Sequence, residues 1–472
     1  MDEFPDRDWD GLEIHFVAIG GVGMSALARI AAGRGADVTG CDRAESGALA
    51  ALRGAGIPCR LGHSPDHLDG ADLVVYSSAV PPETPELQAA RRRDIPLVSR
   101  GRMLAVLQRG FDTVDVAGAH GKTTTTWIIA NLLIRCGADP TVAVGGTVSD
   151  LGGNWRSGRG RLFVAESDES DGSFLHLAAT YPVVTNIDAD HLDYWPDVGA
   201  IEAAFARFAS AGEGGAVLAC ADCPRVATML DVVDRRTITY GLEAGDVRAE
   251  NVRLRPTRAV YDARLPGGVV KDVVLSLPGR HNVQNSLAAL ALAVELDLPM
   301  DAVLEALADT SAVDRRLQLR GRANGVAVYD DYAHHPAEIR ATLDAARLLT
   351  DRRLVGVFQP HRYSRTQRMH REFGPVFGKL DRLIVGPIYA AWEPAVDGVD
   401  ARLIADAVAA HGDVDCELVD DFAGLPERLA PELEAGDVVL TLGAGDVWQT
   451  GDALLRLIEE AAEGDVPNAA GE

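Results

Sequence analysis

Short continuous apolar runs alternate along the chain with longer stretches whose apolar residues recur at helical spacing. "EIHFVAIGG" reads as a buried strand and "VGMSALARIAAGRGA" as a helix closed by glycine, and "DVTGCD" and "ADLVVYSSA" read as further strands. Strands separated by helices predict an α/β domain around a parallel sheet. The pattern restarts with the strand "FDTVDVAG", the helix "TTTTWIIANLLIRCG" and the strands "RLFVAESD", "YPVVTNID" and "GAVLACAD", and closes on the helical stretches "HNVQNSLAALALAVELDL" and "MDAVLEALADT". It restarts once more near "RRLQLRGRANGVAVYDDYA", with strands in "RLVGVFQP", "RLIVGPIY", "CELVD" and "DVVLTLGAG". The expected organisation is therefore three α/β domains, 1–109, 110–314 and 315–472, with a disordered tail in "EEAAEGDVPNAAGE".

Composition narrows the partners. A chain of 472 residues, 47% of them apolar, exceeds a single core. It has no run of about 18 apolar residues, and it begins with the acidic "MDEFPDRDWD" where a signal peptide would be basic. A cytoplasmic protein without integral membrane contact is expected. The formal charge of -25 argues against nucleic acid or an anionic membrane as partner, since neither finds a basic face, but leaves room for small anions in a local pocket. Six cysteines, at 41, 59, 136, 220, 223 and 416, are scattered as reduced thiols would be, and the CxxC at Cys220 and Cys223 lacks the further ligands of a zinc site.

Chemistry concentrates at the carboxyl ends of three groups of strands. "VAGAHGKTTTT" departs from the usual phosphate-loop spacing, with Val116 where an early glycine normally stands. It still joins a buried strand to a helix N-terminus, which turns backbone N–H groups and a helix dipole toward one point. Lys122 would reach the outer phosphates, and Thr123 or Thr124 would supply a hydroxyl to magnesium. Magnesium ligands are expected at the ends of neighbouring strands: Glu166 in "FVAESDES", and Asp188, Asp190, His191 and Asp193 in "VVTNIDADHLD", with Glu166 and His191 the better candidates. The first domain carries "AIGGVGMS", in which Ala18 replaces the first glycine of a dinucleotide turn while Gly20 and Gly23 remain; Asp42 follows at the end of the next strand, where a ribose hydroxyl is commonly bound. That turn alone would suit a nicotinamide oxidoreductase, but beside a second nucleotide site it suits the diphosphate of a sugar nucleotide. In the third domain "DDYAHHPAEI" and "FQPHRYSRT" bring His361, Arg362 and Arg365 to the end of an apolar strand, where arginine can clamp a carboxylate.

The ordered set "IGGVGMS", "GAHGKTTTT", "ESDESDGSF", "TNIDADHLDY", "GRHNVQNSLAA", "RRLQL", "DDYAHHP", "FQPHRYSRT" and "LGAGDVW" resembles the ATP-dependent Mur ligases of peptidoglycan precursor synthesis, over nearly the whole chain. The resemblance implies a Rossmann-like N-terminal domain for a UDP-substrate, a central P-loop ATPase-type domain and a Rossmann-like C-terminal domain. It implies an ATP loop of Gly118, His120, Gly121, Lys122, Thr123 and Thr124, and magnesium ligands at Glu166 and His191. Asn282 and Asn285 match adenine-side positions, and Arg316 and Asp331 match positions near ATP. Gly20, Gly21, Gly23, Met24, Ser25, Asp42, His63, Ser77 and Ser78 would serve the UDP moiety. Glu169, Ser170 and Asp171 would lie toward a muramyl group, and Tyr332, His361, Arg362 and Arg365 toward an amino acid. The implied reaction joins L-alanine to UDP-N-acetylmuramate using ATP and Mg2+, with Mn2+ as a possible substitute. Glycine or serine are the nearest alternative amino acids.

Overall fold

The computed structural model describes residues 9–464 except Asp193 and Trp392, so Asp193 and the last residues of the tail lie outside the described residues. The chain divides into two compact units. The first runs through Asn251 and includes Tyr261–Val274 and Val283–Ser311; the second comprises Val252–Val260, Leu275–Asn282 and the chain from Ala312 on.

The first sheet holds β1 (Glu13–Val17), β2 (Asp37–Asp42), β3 (Cys59–Leu61), β4 (Leu73–Tyr76) and β5 (Leu97–Ser99) in the order β3-β2-β1-β4-β5. All of its pairings are parallel. Strand order reverses beside β1, and ligands of such sheets bind at that switch point, outside the carboxyl ends of the strands. Val17 pairs with Tyr76, so the loop after β1 and Ser77 and Ser78 after β4 leave the sheet side by side.

The second sheet contains β6 (Asp112–Ala117), β7 (Thr141–Val148), β8 (Gly153–Arg156), β9 (Leu162–Glu166), β10 (Tyr181–Val184), β11 (Val217–Cys220) and β12 (Thr237–Gly241), in the order β12-β11-β10-β6-β9-β7-β8. Beyond β12 it continues through β13 (Val247–Leu254), β14 (Ala259–Leu265) and β15 (Gly268–Leu275). The register pairs Val116 with Glu166 and Ala117 with Val184, so β6, β9 and β10 end together and their three loops emerge as neighbours. The helix Lys122–Arg135 follows β6 and is buried from Thr123 to Leu133. Trp127 and Asn131 fix it from the side: the indole donates to Ser311 O at 2.8 Å, and the Asn131 amide donates to Ala306 O at 3.0 Å.

The second unit holds β16 (Gln318–Ala323), β17 (Val326–Asp331), β18 (Leu354–Phe358), β19 (Arg382–Val385), β20 (Asp415–Leu418) and β21 (Val438–Leu442), in the order β16-β17-β21-β18-β19-β20. Only β16 runs antiparallel to its neighbour. Separate apolar cores built around Phe358, Phe373 and Phe377 and around Val357, Val439 and Leu454 cover the sheet. Among the described residues no helix is long and apolar enough to cross a membrane.

Candidate active site

The phosphate-type loop is held open by its neighbour loop. Gly118 has φ +145° and Gly121 φ +81°, backbone conformations in which side chains are strained. A Cβ on Gly118 would lie 2.0 Å from Thr185 Oγ1, so this glycine is needed for both shape and space. Thr185 Oγ1 and Asn186 Nδ2 both donate to His120 O, at 2.7 and 2.9 Å, while His120 N donates to Asn186 Oδ1 at 2.8 Å. Thr185 and Asn186 open "TNIDADH", and sequence reading passed them over for the charged residues that follow. Their polar side chains directly after an apolar strand were the available signal.

Lys122 starts the helix and folds back over the loop. Its Nζ donates to Gly118 O at 2.6 Å and Glu169 Oε1 at 2.9 Å. Burial works against its charge, but the carboxylates of Glu169, Asp168 and Glu166 outweigh burial and raise its pKa, so it stays protonated. Glu169, expected toward a muramyl group, is buried and paired with Lys122. Burial pushes its carboxyl up despite Lys122, and its Oε2 is buried without a hydrogen-bond partner. Glu166 Oε2 accepts from Gly145 N at 2.9 Å. His191 takes a left-handed backbone at φ +57° and brings Nε2 to 3.8 Å from Glu169 Oε1. A left-handed histidine is uncommon and costs some backbone energy. Thr123 and Thr124 are buried at the same helix start, and Asn282 and Asn285 lie on the first two turns of the helix Arg280–Glu295, with Asn285 Oδ1 packed against Gly121.

Arg100 was not singled out from sequence. It begins the helix Arg100–Leu107, donates to Asp168 Oδ2 at 2.7 Å, lies 3.6 Å from Asp171 Oδ2 and packs against Gly23. Asp168 is half-buried, and desolvation raises its pKa, yet Arg100 and Lys122 overcome this and lower it to about 2. Ser78 Oγ donates to Asp171 Oδ2 at 2.6 Å, so the loops from β4 and β9 share one charged cluster. Ser170 N donates to Asp168 Oδ1 at 3.0 Å and shapes the same turn.

The first loop is held by its own contacts. Met24 belongs to the apolar core and Ser25 Oγ donates to Val22 O at 2.9 Å. Asp42 Oδ2 accepts from Gly20 N at 3.0 Å, which closes the loop. Ala18 sits at φ +63°, so the glycine usual there is a matter of backbone conformation as well as close approach. His63 faces Glu86 at 3.1 Å, and Ser77 Oγ accepts from Ala79 N at 3.3 Å.

In the second unit Asp331 accepts from Leu317 N at 2.7 Å and Ala333 N at 2.8 Å. Burial pushes its carboxyl up to about 6, against the opposing charge of Arg316. The guanidinium of Arg316 lies 5.5 Å from the Tyr332 ring centroid. His361 packs 5.1 Å from His334 and stacks 5.9 Å from Tyr389, while Arg365 Nη1 lies 3.2 Å from His361 Nδ1. Arg362 holds a left-handed backbone at φ +70° and donates its N–H to Tyr389 O at 2.9 Å. His334 and Tyr389 join the residues named from sequence in one aromatic and basic cluster.

The chain is similar to known proteins over most of its length. The Mur ligase family catalytic domain matches residues 13–112, the Mur ligase middle domain 116–293 and the Mur ligase glutamate ligase domain 315–445. The chain is 44% identical to a UDP-N-acetylmuramate--L-alanine ligase of Geobacter sulfurreducens, over 96% of this chain and 98% of that one. It is 43% identical to the corresponding ligase of Myxococcus xanthus, over 94% and 95%. A crystal structure of UDP-N-acetylmuramate-alanine ligase from Thermotoga maritima superposes with a TM-score of 0.82 at 29% identity, covering 95% of this chain and all of that one. With family matches in every part of the chain and relatives of this identity over its full length, this protein belongs to the Mur ligase family.

Proposed function

We propose that this chain is an ATP-dependent ligase that joins L-alanine to the carboxylate of UDP-N-acetylmuramate, releasing ADP and phosphate in peptidoglycan precursor synthesis. The observation that carries the reading at this site is the half-buried, charged Lys122 held at a phosphate-type loop among Glu166, Asp168 and Glu169. An amine cannot displace oxide from a carboxylate at neutral pH, so the carboxylate must first gain a leaving group. The substrate carboxylate attacks the γ-phosphorus of ATP and forms an acyl phosphate. The neutral amine of L-alanine then attacks the acyl carbon, the C–O bond breaks and phosphate leaves.

The chain's part is electrostatic and positional. Lys122 exchanges its bonds to Gly118 O and Glu169 for phosphate oxygens and stabilises the charge that develops on them. Gly118, His120 and Gly121 shape the loop, and the first turn of the helix from Lys122 turns N–H groups toward the phosphates. The orphaned Glu169 Oε2, with His191 Nε2 3.8 Å from the other oxygen of that carboxylate, suits a hard divalent cation, and Glu166, Thr123 and Thr124 are its further candidate ligands. Bound there, Mg2+, or Mn2+ in its place, would neutralise phosphate charge. Asn282 and Asn285 serve the adenine side, and Arg316 and Asp331 complete the ATP contacts. Gly20, Gly21, Gly23, Met24, Ser25, Asp42, His63, Ser77 and Ser78 serve the UDP moiety, Glu169, Ser170 and Asp171 the muramyl side, and Tyr332, His361, Arg362 and Arg365 the amino acid. Domains 1–109, 110–314 and 315–472 are supported by the breaks after the helix Arg100–Leu107 and before β16. The substrates are cytoplasmic metabolites, and we place the enzyme there.

The test is phosphate release from ATP with UDP-N-acetylmuramate and, in parallel, L-alanine, glycine, L-serine or no amino acid. Release that requires the UDP-sugar and is fastest with L-alanine, with the matching mass gain, is expected. Release independent of the UDP-sugar would overturn the assignment.

A further inference from the structure

Away from the phosphate loop, four side chains that the ligase reaction does not use converge inside the first unit. They are His15 on β1, Cys41 on β2, His67 on the turn Pro65–Leu68 and Glu86 on the helix Pro85–Arg92. One ligand-type atom from each lies within 4.8 Å of all the others. His15, Cys41 and Glu86 are buried, and the Glu86 carboxylate is fully so. Such a carboxylate is costly without compensation. Glu86 Oε1 accepts from Ser64 N at 2.9 Å and from the Cys41 thiol at 3.3 Å, and lies 2.9 Å from His67 Nδ1. Oε2 lies 3.1 Å from His63 Nδ1 but in no hydrogen-bond alignment, leaving a buried oxygen lone pair unused.

We propose that His15, Cys41, His67 and Glu86 form a structural site for a thiophilic divalent cation of the zinc class, distinct from the nucleotide site. Three observations carry it. The donor set of one sulfur, two imidazole nitrogens and one carboxylate oxygen is that of tetrahedral zinc, and with Cys41 as thiolate its two negative charges neutralise the ion in a buried place. Two of the spacings fit directly, His15 Nε2 lying 3.4 Å from Cys41 Sγ and Cys41 Sγ 3.3 Å from Glu86 Oε1, while His67 Nδ1, at 2.9 Å from Glu86 Oε1, would move slightly apart from it on binding. Ligand bonds of about 2.0–2.3 Å in a tetrahedron put donor atoms about 3.3–3.8 Å apart. Finally, His15 Nδ1 is 2.9 Å from Thr39 Oγ1, an outer partner that leaves Nε2 for the ion. A cavity of about 110 Å³ lined by His15, His67, Glu13, Asp37, Asp69 and Arg60 supplies an entry path. On binding, Cys41 releases its proton to solvent as the sulfur–metal bond forms, with no change of oxidation state. The ion would tie β1 and β2 to the helix Pro85–Arg92.

The test uses the full chain, stripped with chelator and titrated with Zn2+ and with Co2+ in excess Mg2+. One equivalent of Zn2+ should bind at micromolar affinity or tighter. Co2+ should give thiolate-to-metal charge-transfer absorption that is lost in Cys41→Ser. His67→Gln, at a side chain that reaches the surface, should weaken Zn2+ binding at least tenfold and keeps the test open if Cys41→Ser fails to fold. Absence of stoichiometric binding to the wild-type chain would overturn the proposal. So would absorption that survives Cys41→Ser but disappears in Cys220→Ser, or affinity unchanged in His67→Gln.

Discussion

Lys122 is the one lysine in the first 270 residues, and its side chain is held by Glu169 rather than left to solvent. Lys122→Ala removes the cation that meets developing phosphate charge, so turnover should fall at least a hundredfold, about 3 kcal/mol. The far-ultraviolet dichroism spectrum should keep its native shape. The melting temperature should drop, because Glu169 is then buried without its counter-charge. Substantial retained turnover would reject the role. Asp115, on the strand that leads into the loop, gives a second prediction. Its Oδ1 accepts from Gln108 Nε2 at 2.6 Å and its Oδ2 is buried without a partner. Burial lifts the carboxyl from 3.8 to about 7. The unfolded chain then loses its proton first, so the stabilising contribution is full below pH about 4, is lost as pH rises through about 7, and is flat above that. That loss is on the order of 4 kcal/mol as an upper bound. Asp115→Asn should flatten this segment of the stability profile, as measured by urea unfolding at a series of pH values; parallel profiles for the two proteins would contradict it. Lys122 and the glycines were legible in sequence because their chemistry is local. The pairing of Glu169 with Lys122 was not legible, and Arg100 was missed, because which cation a carboxylate meets depends on loops that meet only in the folded sheet.

At the scale of elements, the loop works because β6, β9 and β10 end in register. Gly118→Ala would force a Cβ to 2.0 Å from Thr185 Oγ1, displacing the segment that Thr185 and Asn186 pin. ATP affinity, measured by calorimetry, should fall at least tenfold, whereas Thr185→Ser, which keeps the hydroxyl, should stay near wild type. Equal affinity in Gly118→Ala would show that the loop does not need this shape. The principal βαβ strands were readable because buried parallel strands are unbroken apolar runs. The hairpin of β7 and β8 was not, since "TVAVGGTV" carries paired glycines. Nor were β13 to β15, whose exposed positions interrupt the apolar pattern: β13, "VRAENVRL", buries only alternate residues at its start. Sheet order was equally hidden, because it is set by contacts between segments far apart in sequence.

For the whole molecule, a formal charge of -25 opposes the approach of ATP and a UDP-sugar, both anions. Raising ionic strength from about 20 to about 150 mM shortens the screening length to about 8 Å, so KM for both substrates should fall or hold. A steep rise would mean that local cations such as Lys122 and Arg100 govern encounter. The central claim is that a carboxylate oxygen of the sugar nucleotide passes to phosphate. We would supply UDP-N-acetylmuramate labelled with 18O in its carboxylate, together with ATP and L-alanine, and weigh the released phosphate. The acyl-phosphate route predicts one labelled oxygen in each phosphate formed; unlabelled phosphate, with product still made, would contradict it.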